Sequence, residues 1–137
     1  MPWVELPHTA DAGLEIKASD AESLVTESAK ALNSFIFGEF LETSKSQSGE
    51  EHVVELDCID LLELFVSWLN ELLFIYEVKG KIFLPENVEI DLQGVKLIAR
   101  GTLQDAPRPI RGVKAVTYGG AEIKSEPIWK FRVYLDL

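Results

Sequence analysis

Two aspartates stand where their carboxylates could serve chemistry. Asp11 closes the stretch His8-Thr9-Ala10-Asp11, just before an alternation of apolar and polar residues, and Asp136 is the second-last residue. If a final strand stops at Asp136, the main-chain carboxylate of Leu137 lies beside it, and Asp11 brought to the same point would make three oxygen donors. Ligation by oxygen alone suits Ca²⁺ or Mg²⁺, with water at the remaining positions. Sequence spacing alone does not bring these groups together.

Lys114, in the stretch VKAVTY, and His8 are the other candidates. The neighbours Val113 and Ala115 are apolar, so a strand would place Lys114 on the opposite face, where a fixed cation could bind a carboxylate or phosphate. Each candidate also has a plainer interpretation. Asp11 in a turn accepts backbone N–H bonds, His8 is a satisfied, half-buried ring, and Lys114 is an exposed lysine on a solvated face.

Two helices must position these groups, and they are predicted over about 19–37 and 57–79. Ser19 followed three residues later by Glu22 fits a capping box, and a glycine follows each helix as its stop. The second helix is apolar around most of its surface, which is typical of a central core element with Trp68 buried. Its polar positions form a narrow stripe: Asp60, Glu63, Ser67, Asn70 and Glu71.

The remaining sequence predicts strands joined by tight connections. Apolar and polar residues alternate over 14–18, 88–92, 95–99, 113–117 and 129–135. Gln93-Gly94 and Gly119-Gly120 are predicted as hairpin turns, and 106–109, with two prolines, as a loop. Hairpin connections make sheets antiparallel. We therefore expect one α+β domain over 1–137, with layered, mostly antiparallel sheets packed with the two main helices.

Signatures of several other kinds of site are missing from the sequence. The polar stretch 42–51 is predicted as a mobile loop, and Glu50-Glu51-His52 as a solvated tract rather than a ligand set. Gly119-Gly120 carries no Walker-type lysine, so no phosphate-binding glycine loop is predicted. With two histidines, and with Cys58 at a helix start in an apolar run, no Ser–His–Asp or Cys–His triad can be argued.

The composition limits the compartment and the partners. A net charge of −10 works against attachment to nucleic acid or anionic membrane, because both need a basic face. No apolar run reaches the roughly 18 residues that span a bilayer, and the N-terminus does not resemble a signal peptide. One cysteine excludes an internal disulfide framework. We expect a soluble, cytoplasmic protein that acts in RNA metabolism, if at all, through a protein partner.

Four stretches taken together resemble the archease family. They are HTAD followed by Gly13 and an alternating strand, LFVSWLNELLF on the second helix, VKAVTY after a proline-bearing loop, and an aspartate one residue before the end. Each stretch alone is weak evidence for the family, but the four occur in order over residues 7–137. The family motif commonly continues as KAVTYH, whereas this chain has Gly119 at the histidine position.

The resemblance implies a protein cofactor of the GTP-dependent RNA ligase of tRNA splicing and RNA repair. Such a cofactor promotes guanylylation of the ligase's active-site histidine and helps the ligase turn over repeatedly. The resemblance also implies a divalent metal, Ca²⁺ or Mg²⁺/Mn²⁺, held by Asp11, Asp136 and the carboxylate of Leu137. Lys114 and His8 carry over as residues for activation of the ligase. Direct binding to nucleic acid or membrane is not expected.

Two other functions fit the same residues. An older proposal makes archeases chaperones or modulators of tRNA-modifying enzymes, and the site is then a structural metal or an ion-pair cluster of Lys114, Asp11 and Asp136. A metal-dependent phosphohydrolase would use the carboxylates to activate water. The sequence offers this phosphohydrolase no general base other than His8, which argues against an enzyme. We therefore expect an accessory protein rather than an enzyme.

Overall fold

The computed structural model describes residues 2–6, 12–38 and 49–137. In chain order, the first elements are β1 (Trp3–Leu6), β2 (Ala12–Ala18), α1 (Ala21–Phe37), β3 (Glu50–Asp57) and α2 (Leu61–Lys79). The remaining elements are β4 (Lys81–Asp91), β5 (Lys96–Asp105), β6 (Ala115–Lys124) and β7 (Trp129–Asp136).

The strands form two antiparallel sheets, with the two helices packed against both. The larger sheet has the order β1-β2-β7-β6 and the smaller one the order β3-β5-β4. Helix α1 contacts β2 of the larger sheet and β4 of the smaller one, and α2 contacts β6 and β4. This is the layered α+β arrangement that the sequence predicts. Neither helix in the described part of the chain is long and apolar enough to cross a lipid bilayer.

The core lies where the helices meet the inner faces of the sheets. The alternation in β7 is confirmed, because Phe131, Val133 and Leu135 are all fully buried. Trp68 of α2 is also fully buried, and its indole Nε1–H donates to the backbone oxygen of Val25 in α1 at 3.0 Å. The indole thus fills the core and satisfies its one polar group, as buried tryptophans usually do.

The predicted capping box is wrong for α1. Asp20, not Ser19, is the N-cap of α1, and its carboxylate accepts the N–H of Ser23 at 2.7 Å. Two cap-forming residues stand next to each other in the sequence, and Asp20 takes the extended backbone conformation that an N-cap needs. This hydrogen bond from the Ser23 N–H holds the pKa of the Asp20 carboxyl below its usual value.

A reciprocal arrangement of the capping-box type lies instead at the start of α2. Asp60 accepts the N–H of Glu63 at 2.8 Å, and the Glu63 carboxylate accepts the N–H of Ile59 at 2.7 Å. The helix therefore begins at Leu61 rather than near Asp57. Both glycine stops are confirmed, since Gly38 and Gly80 donate their N–H groups to the last turn of each helix.

The assignment of Glu50-Glu51-His52 to a polar loop is wrong, because these residues open β3. His52, Val54 and Leu56 turn toward the core while the residues between them are exposed. The ring of His52 meets that of Phe83 edge to face, with 5.5 Å between centroids. Residues 42–48 of the predicted mobile loop lie outside the described residues.

Gly119-Gly120 is not a hairpin turn. Strand β6 runs through both glycines to Lys124, and its pairing with β7 shifts between Thr117 and Glu122. Across this shift β7 advances only from Tyr134 to Arg132, so β6 carries a bulge of extra residues.

The β4–β5 hairpin is placed as predicted, although Asp91 pairs with Lys96, so its turn spans residues 92–95. The loop at 106–109 is confirmed.

The buried indole generates a stability prediction. Trp68→Ala removes the largest fully buried side chain, and the resulting cavity should lower the free energy of unfolding by about 3–5 kcal/mol. Urea unfolding followed by far-UV circular dichroism measures the effect. Phe74→Ala on the same helix is the matched control. Because Phe74 is 55% exposed, its truncation should lower the free energy of unfolding far less. Equal losses in the two variants would contradict the core assignment.

Candidate functional site

Three stretches of the chain meet at one end of the larger sheet. Asp136 is the last residue of β7, and it pairs with Ala115 at the start of β6. On the other edge of β7, Ala12 at the start of β2 pairs with Leu135. We call this end of the sheet the carboxylate end. Asp136 is exposed there, and Leu137 after it is 46% exposed.

Lys114 lies at the carboxylate end beside Asp136. Its backbone N–H donates to the backbone oxygen of Asp136 at 2.7 Å, while its side chain is exposed. The prediction that Lys114 lies within an alternating strand is wrong, since β6 begins at Ala115 and the buried residues here are Val113 and Val116. Two buried residues three apart break the alternation, because the chain enters the sheet only after Lys114.

His8 and Asp11 lie outside the described residues, and the described chain resumes at Ala12. Of the predicted set, the structure therefore brings together Asp136, Leu137 and Lys114.

Asn70 of α2 holds the start of β6 in place. Its side-chain oxygen accepts the N–H of Val116 at 3.0 Å, and its side-chain nitrogen donates to the oxygen of the same residue at 2.9 Å. The amide thereby occupies both backbone groups of Val116 on the edge of β6, as a neighbouring strand would. Sequence analysis noted Asn70 only as part of a polar stripe. The signal in the sequence is that Asn70 is the one amide side chain in α2 (Leu61–Lys79).

Tyr134 fills a slot between two glycines on the outer face of the sheet. A Cβ atom on Gly13 would lie 2.8 Å from a carbon of the Tyr134 ring, and one on Gly120 would lie 2.9 Å from another. Gly120 also has a φ of 77°, which disfavours other residues. Gly119 is different, because a Cβ there would meet nothing within 4 Å. Packing therefore does not require a glycine at position 119.

An ion-pair network lies next to Tyr134 on the same face. Arg132 donates to one carboxylate oxygen of Glu15 through Nε at 3.3 Å and through Nη2 at 2.8 Å. Its Nη1 lies 3.8 Å from the carboxylate of Glu122. The hydrogen bond from Arg132, helped by the charges of Arg132, Lys130 and Lys17, holds the pKa of the Glu15 carboxyl below its usual value against the opposing effect of burial.

The donors at the carboxylate end are of the right kind for a hard metal ion. The side chain of Asp136 is exposed and forms no ion pair or hydrogen bond with any residue that the structure describes. Carboxylate oxygens suit Ca²⁺, Mg²⁺ or Mn²⁺. Over residues 2–6, 12–38 and 49–137, no group of three His, Cys, Asp or Glu side chains is close enough to hold a metal.

Comparison with known proteins gives a match over nearly the whole chain. The model of the Archease protein family (MTH1598/TM1083) matches residues 3–137. Protein archease from Methanopyrus kandleri is 36% identical over 144 residues, with 100% of both chains covered. Protein archease from Methanothermobacter thermautotrophicus is 34% identical, with 94% of each chain covered.

Solved structures share the fold. The solution structure of Methanobacterium thermoautotrophicum protein 1598 superposes with a TM-score of 0.75 at 31% identity and covers 99% of both chains. A crystal structure from Thermotoga maritima, described as an archease and possible chaperone, gives a TM-score of 0.62 at 20% identity. It covers 96% of this chain and 94% of its own, and at that identity it shows the fold alone.

The Asn70–Val116 pairing generates a second prediction. Asn70→Ala leaves two part-buried backbone groups of Val116 without their partner, which should lower the free energy of unfolding by about 1–3 kcal/mol. Amide hydrogen exchange at Val116 should accelerate, because the edge of β6 then opens more readily. Asn87→Ala is the control, since Asn87 is exposed in β4. Unchanged exchange at Val116 would show that Asn70 does not hold this edge.

The Arg132–Glu15 pair generates a prediction about pH. The pKa of Glu15 is lower in the folded protein, so its stabilising effect is complete above the unfolded value of about 4.3 and is lost as the pH falls through the folded value. Glu15→Gln should therefore be less stable than wild type at neutral pH, and the difference should shrink as the pH falls below about 4.3. Chemical unfolding at several pH values measures it. Glu86→Gln, at an exposed position in β4, is the matched control and should differ little from wild type in stability at neutral pH.

Proposed function

The chain belongs to the archease family, and from this premise we propose that it is an accessory protein that activates a GTP-dependent RNA ligase of tRNA splicing and RNA repair. It promotes guanylylation of the ligase's active-site histidine and supports repeated turnover. The observation that carries the proposal is the carboxylate end, where the exposed side chains of Lys114 and Asp136 lie on residues joined by a 2.7 Å backbone hydrogen bond.

The two side chains are available to a partner. Neither Lys114 nor Asp136 forms a side-chain ion pair with another described residue, although both are charged and lie on adjacent strand ends. An ammonium group and a carboxylate on neighbouring residues suit a role in organising the phosphates of a nucleotide, because both charges can act on the same bound group. The hydrogen bonds of Asn70 to Val116 and of the Lys114 N–H to Asp136 fix the backbone that carries the two side chains.

A divalent metal belongs to the proposal as a ligand of the carboxylate end. Asp136, Asp11 and the carboxylate of Leu137 would hold it, and its chemistry there would be to neutralise negative charge on the phosphates of GTP. Lys114 would place its ammonium group near the same phosphates and stabilise the charge that develops as the ligase's nucleophile attacks. His8 is proposed as a contact to the ligase rather than as a metal ligand.

The charge of the chain suits a protein partner. An RNA ligase presents basic surface to its substrate, and a net charge of −10 would steer this protein toward such a surface. The same charge gives little affinity for RNA alone. We therefore place the accessory protein on the ligase, in the cytoplasm, rather than on the RNA.

The chaperone function is the second candidate, because the related Thermotoga maritima protein is described as a possible chaperone. A chaperone would raise the amount of correctly folded partner without changing the activity of each folded molecule. An accessory protein would raise the rate of guanylylation for a ligase that is already folded. The two functions therefore differ in what happens when this protein is added to purified, folded ligase.

The test is guanylylation of the purified cognate ligase by labelled GTP, with and without this protein. Wild type should stimulate the reaction, and Asp136→Ala should lower the stimulation by at least about tenfold, equal to about 1.4 kcal/mol of lost stabilisation. Asp57→Ala is the matched control, because Asp57 is an exposed aspartate at the end of β3 in the other sheet. It should stimulate as wild type does.

Full stimulation by Asp136→Ala would contradict the proposed site. Stimulation that appears only when the ligase is refolded in the presence of this protein would favour the chaperone function. Circular dichroism of each variant establishes that it is folded before it is compared. Incubation of this protein alone with GTP and Mg²⁺ should give no turnover, and turnover without the ligase would contradict the accessory role.

A further inference from the structure

Three lysines lie side by side on the outer face of the larger sheet. Lys130 of β7 pairs with Lys17 of β2 on one edge and with Lys124 of β6 on the other. Paired residues on antiparallel strands have Cα atoms about 4.5–5.5 Å apart, so the three residues span about 10 Å. Like charges that face each other across strands destabilise a sheet. We call these residues the lysine row, and in the free protein their arrangement is unfavourable.

The outer lysines of the row have only weak partners on their own strands. The Nζ atom of Lys17 lies 3.9 Å from the carboxylate of Glu15, and that of Lys124 lies 3.6 Å from Glu122. Both glutamates also lie close to Arg132. Its Nη2 is 2.8 Å from the carboxylate of Glu15, and its Nη1 is 3.8 Å from that of Glu122. Each carboxylate is therefore shared between a lysine and the arginine.

The central lysine has no carboxylate partner in the part of the chain that the structure describes. The side chain of Lys130 forms no ion pair or hydrogen bond with any residue in the described ranges, although it is only partly exposed. Its positive charge is felt by Glu15, whose carboxyl pKa it helps to lower. With Arg132 and the two glutamates, the lysine row makes a patch of four cations and two anions on a chain of net charge −10.

A hollow brings several of these groups to one place. It is lined by Glu122, Lys124, Lys130 and Arg132. Three cationic side chains around a concave surface fit an oxyanion that carries more than one negative charge and accepts several hydrogen bonds, which describes a phosphate group better than a single carboxylate. The one glutamate in the lining is already close to Lys124 and Arg132.

We propose that the lysine row and the hollow beside it bind a phosphate group, with Lys130 as the central contact. The phosphate could belong to a free nucleotide or polyphosphate, or to the backbone of an RNA held by another protein. The chemistry recognised is the same in both cases. Lys130 is six residues along β7 from Asp136, or about 20 Å. The lysine row is therefore separate from the carboxylate end, and the proposal does not rest on the proposed accessory function.

The test is titration of the full chain with inorganic tripolyphosphate at constant ionic strength, followed by ¹H–¹⁵N NMR and calorimetry. Saturable binding is expected, with the largest shifts at the amides of Lys124, Lys130 and Arg132. Lys130→Gln should weaken binding by about tenfold, the effect of losing one charge-assisted hydrogen bond. Lys96→Gln, at an exposed strand position in the other sheet, should bind as wild type does.

A stability measurement separates loss of the site from loss of the fold. In buffer without phosphate and at low salt, Lys130→Gln should melt close to wild type, because it removes both the repulsion between neighbouring lysines and the attraction between Lys130 and Glu15. With tripolyphosphate, the melting temperature of wild type should rise, and that of Lys130→Gln should rise by clearly less at the same ligand concentration. Lys124→Gln provides a second variant with the same expected weakening of the ligand effect.

The source of the phosphate is decided by a second titration with a short oligoribonucleotide that lacks terminal phosphates. Saturable binding of tripolyphosphate alone supports a nucleotide or polyphosphate ligand, and binding of the oligoribonucleotide, alone or in addition, supports contact with an RNA backbone. In each case the binding must weaken in Lys130→Gln. The proposal is overturned if neither ligand saturates at constant ionic strength, or if Lys130→Gln binds as tightly as wild type.

Discussion

Strand β7 sets the geometry of the molecule because it is paired along both edges and buried on one face. It lies between β2 and β6, and the inward side chains of Phe131, Val133 and Leu135 have 0% of their surface exposed. A shift of one residue in its pairing would turn these side chains to solvent and bring charged ones into the core. Burial of the inner face therefore fixes the register of the larger sheet, and with it the position of every outward side chain.

The outward side chains of β7 change in character along the strand. Lys130 and Arg132 lie at the end where the sheet is basic, Tyr134 fills the slot between two glycines, and Asp136 ends the strand. The outward side chains of β7 thus run from two cations to one carboxylate in a protein that is acidic overall. Such a face can orient a partner with the opposite pattern, which a uniform charge cannot do.

The parts of the fold that sequence alone could predict are those in which one buried face imposes a period. The alternation in β7 and the apolar surface of α2 are examples. Features that depend on distant residues could not be predicted in this way. Two glycines at 119–120 fit a turn or a bulge equally well, and the choice depends on the ring of Tyr134 on the next strand. The pairing of Asn70 with Val116 joins residues 46 apart in the sequence. Asp136 and Lys114 were recognisable as candidates, but only the register of β6 on β7 makes them neighbours.

The backbone at the carboxylate end is held by groups other than the side chains that point out of it. The N–H of Lys114 and the carbonyl of Asp136 bond to each other, and the amide of Asn70 secures Val116, so exchange of the side chains at 114 and 136 leaves these bonds in place. In a library of variants sorted by abundance in cells, positions 114 and 136 would therefore tolerate most amino acids, while position 70 would tolerate few. Purifying selection on Lys114 or Asp136 would then indicate that these side chains are needed for a function other than folding.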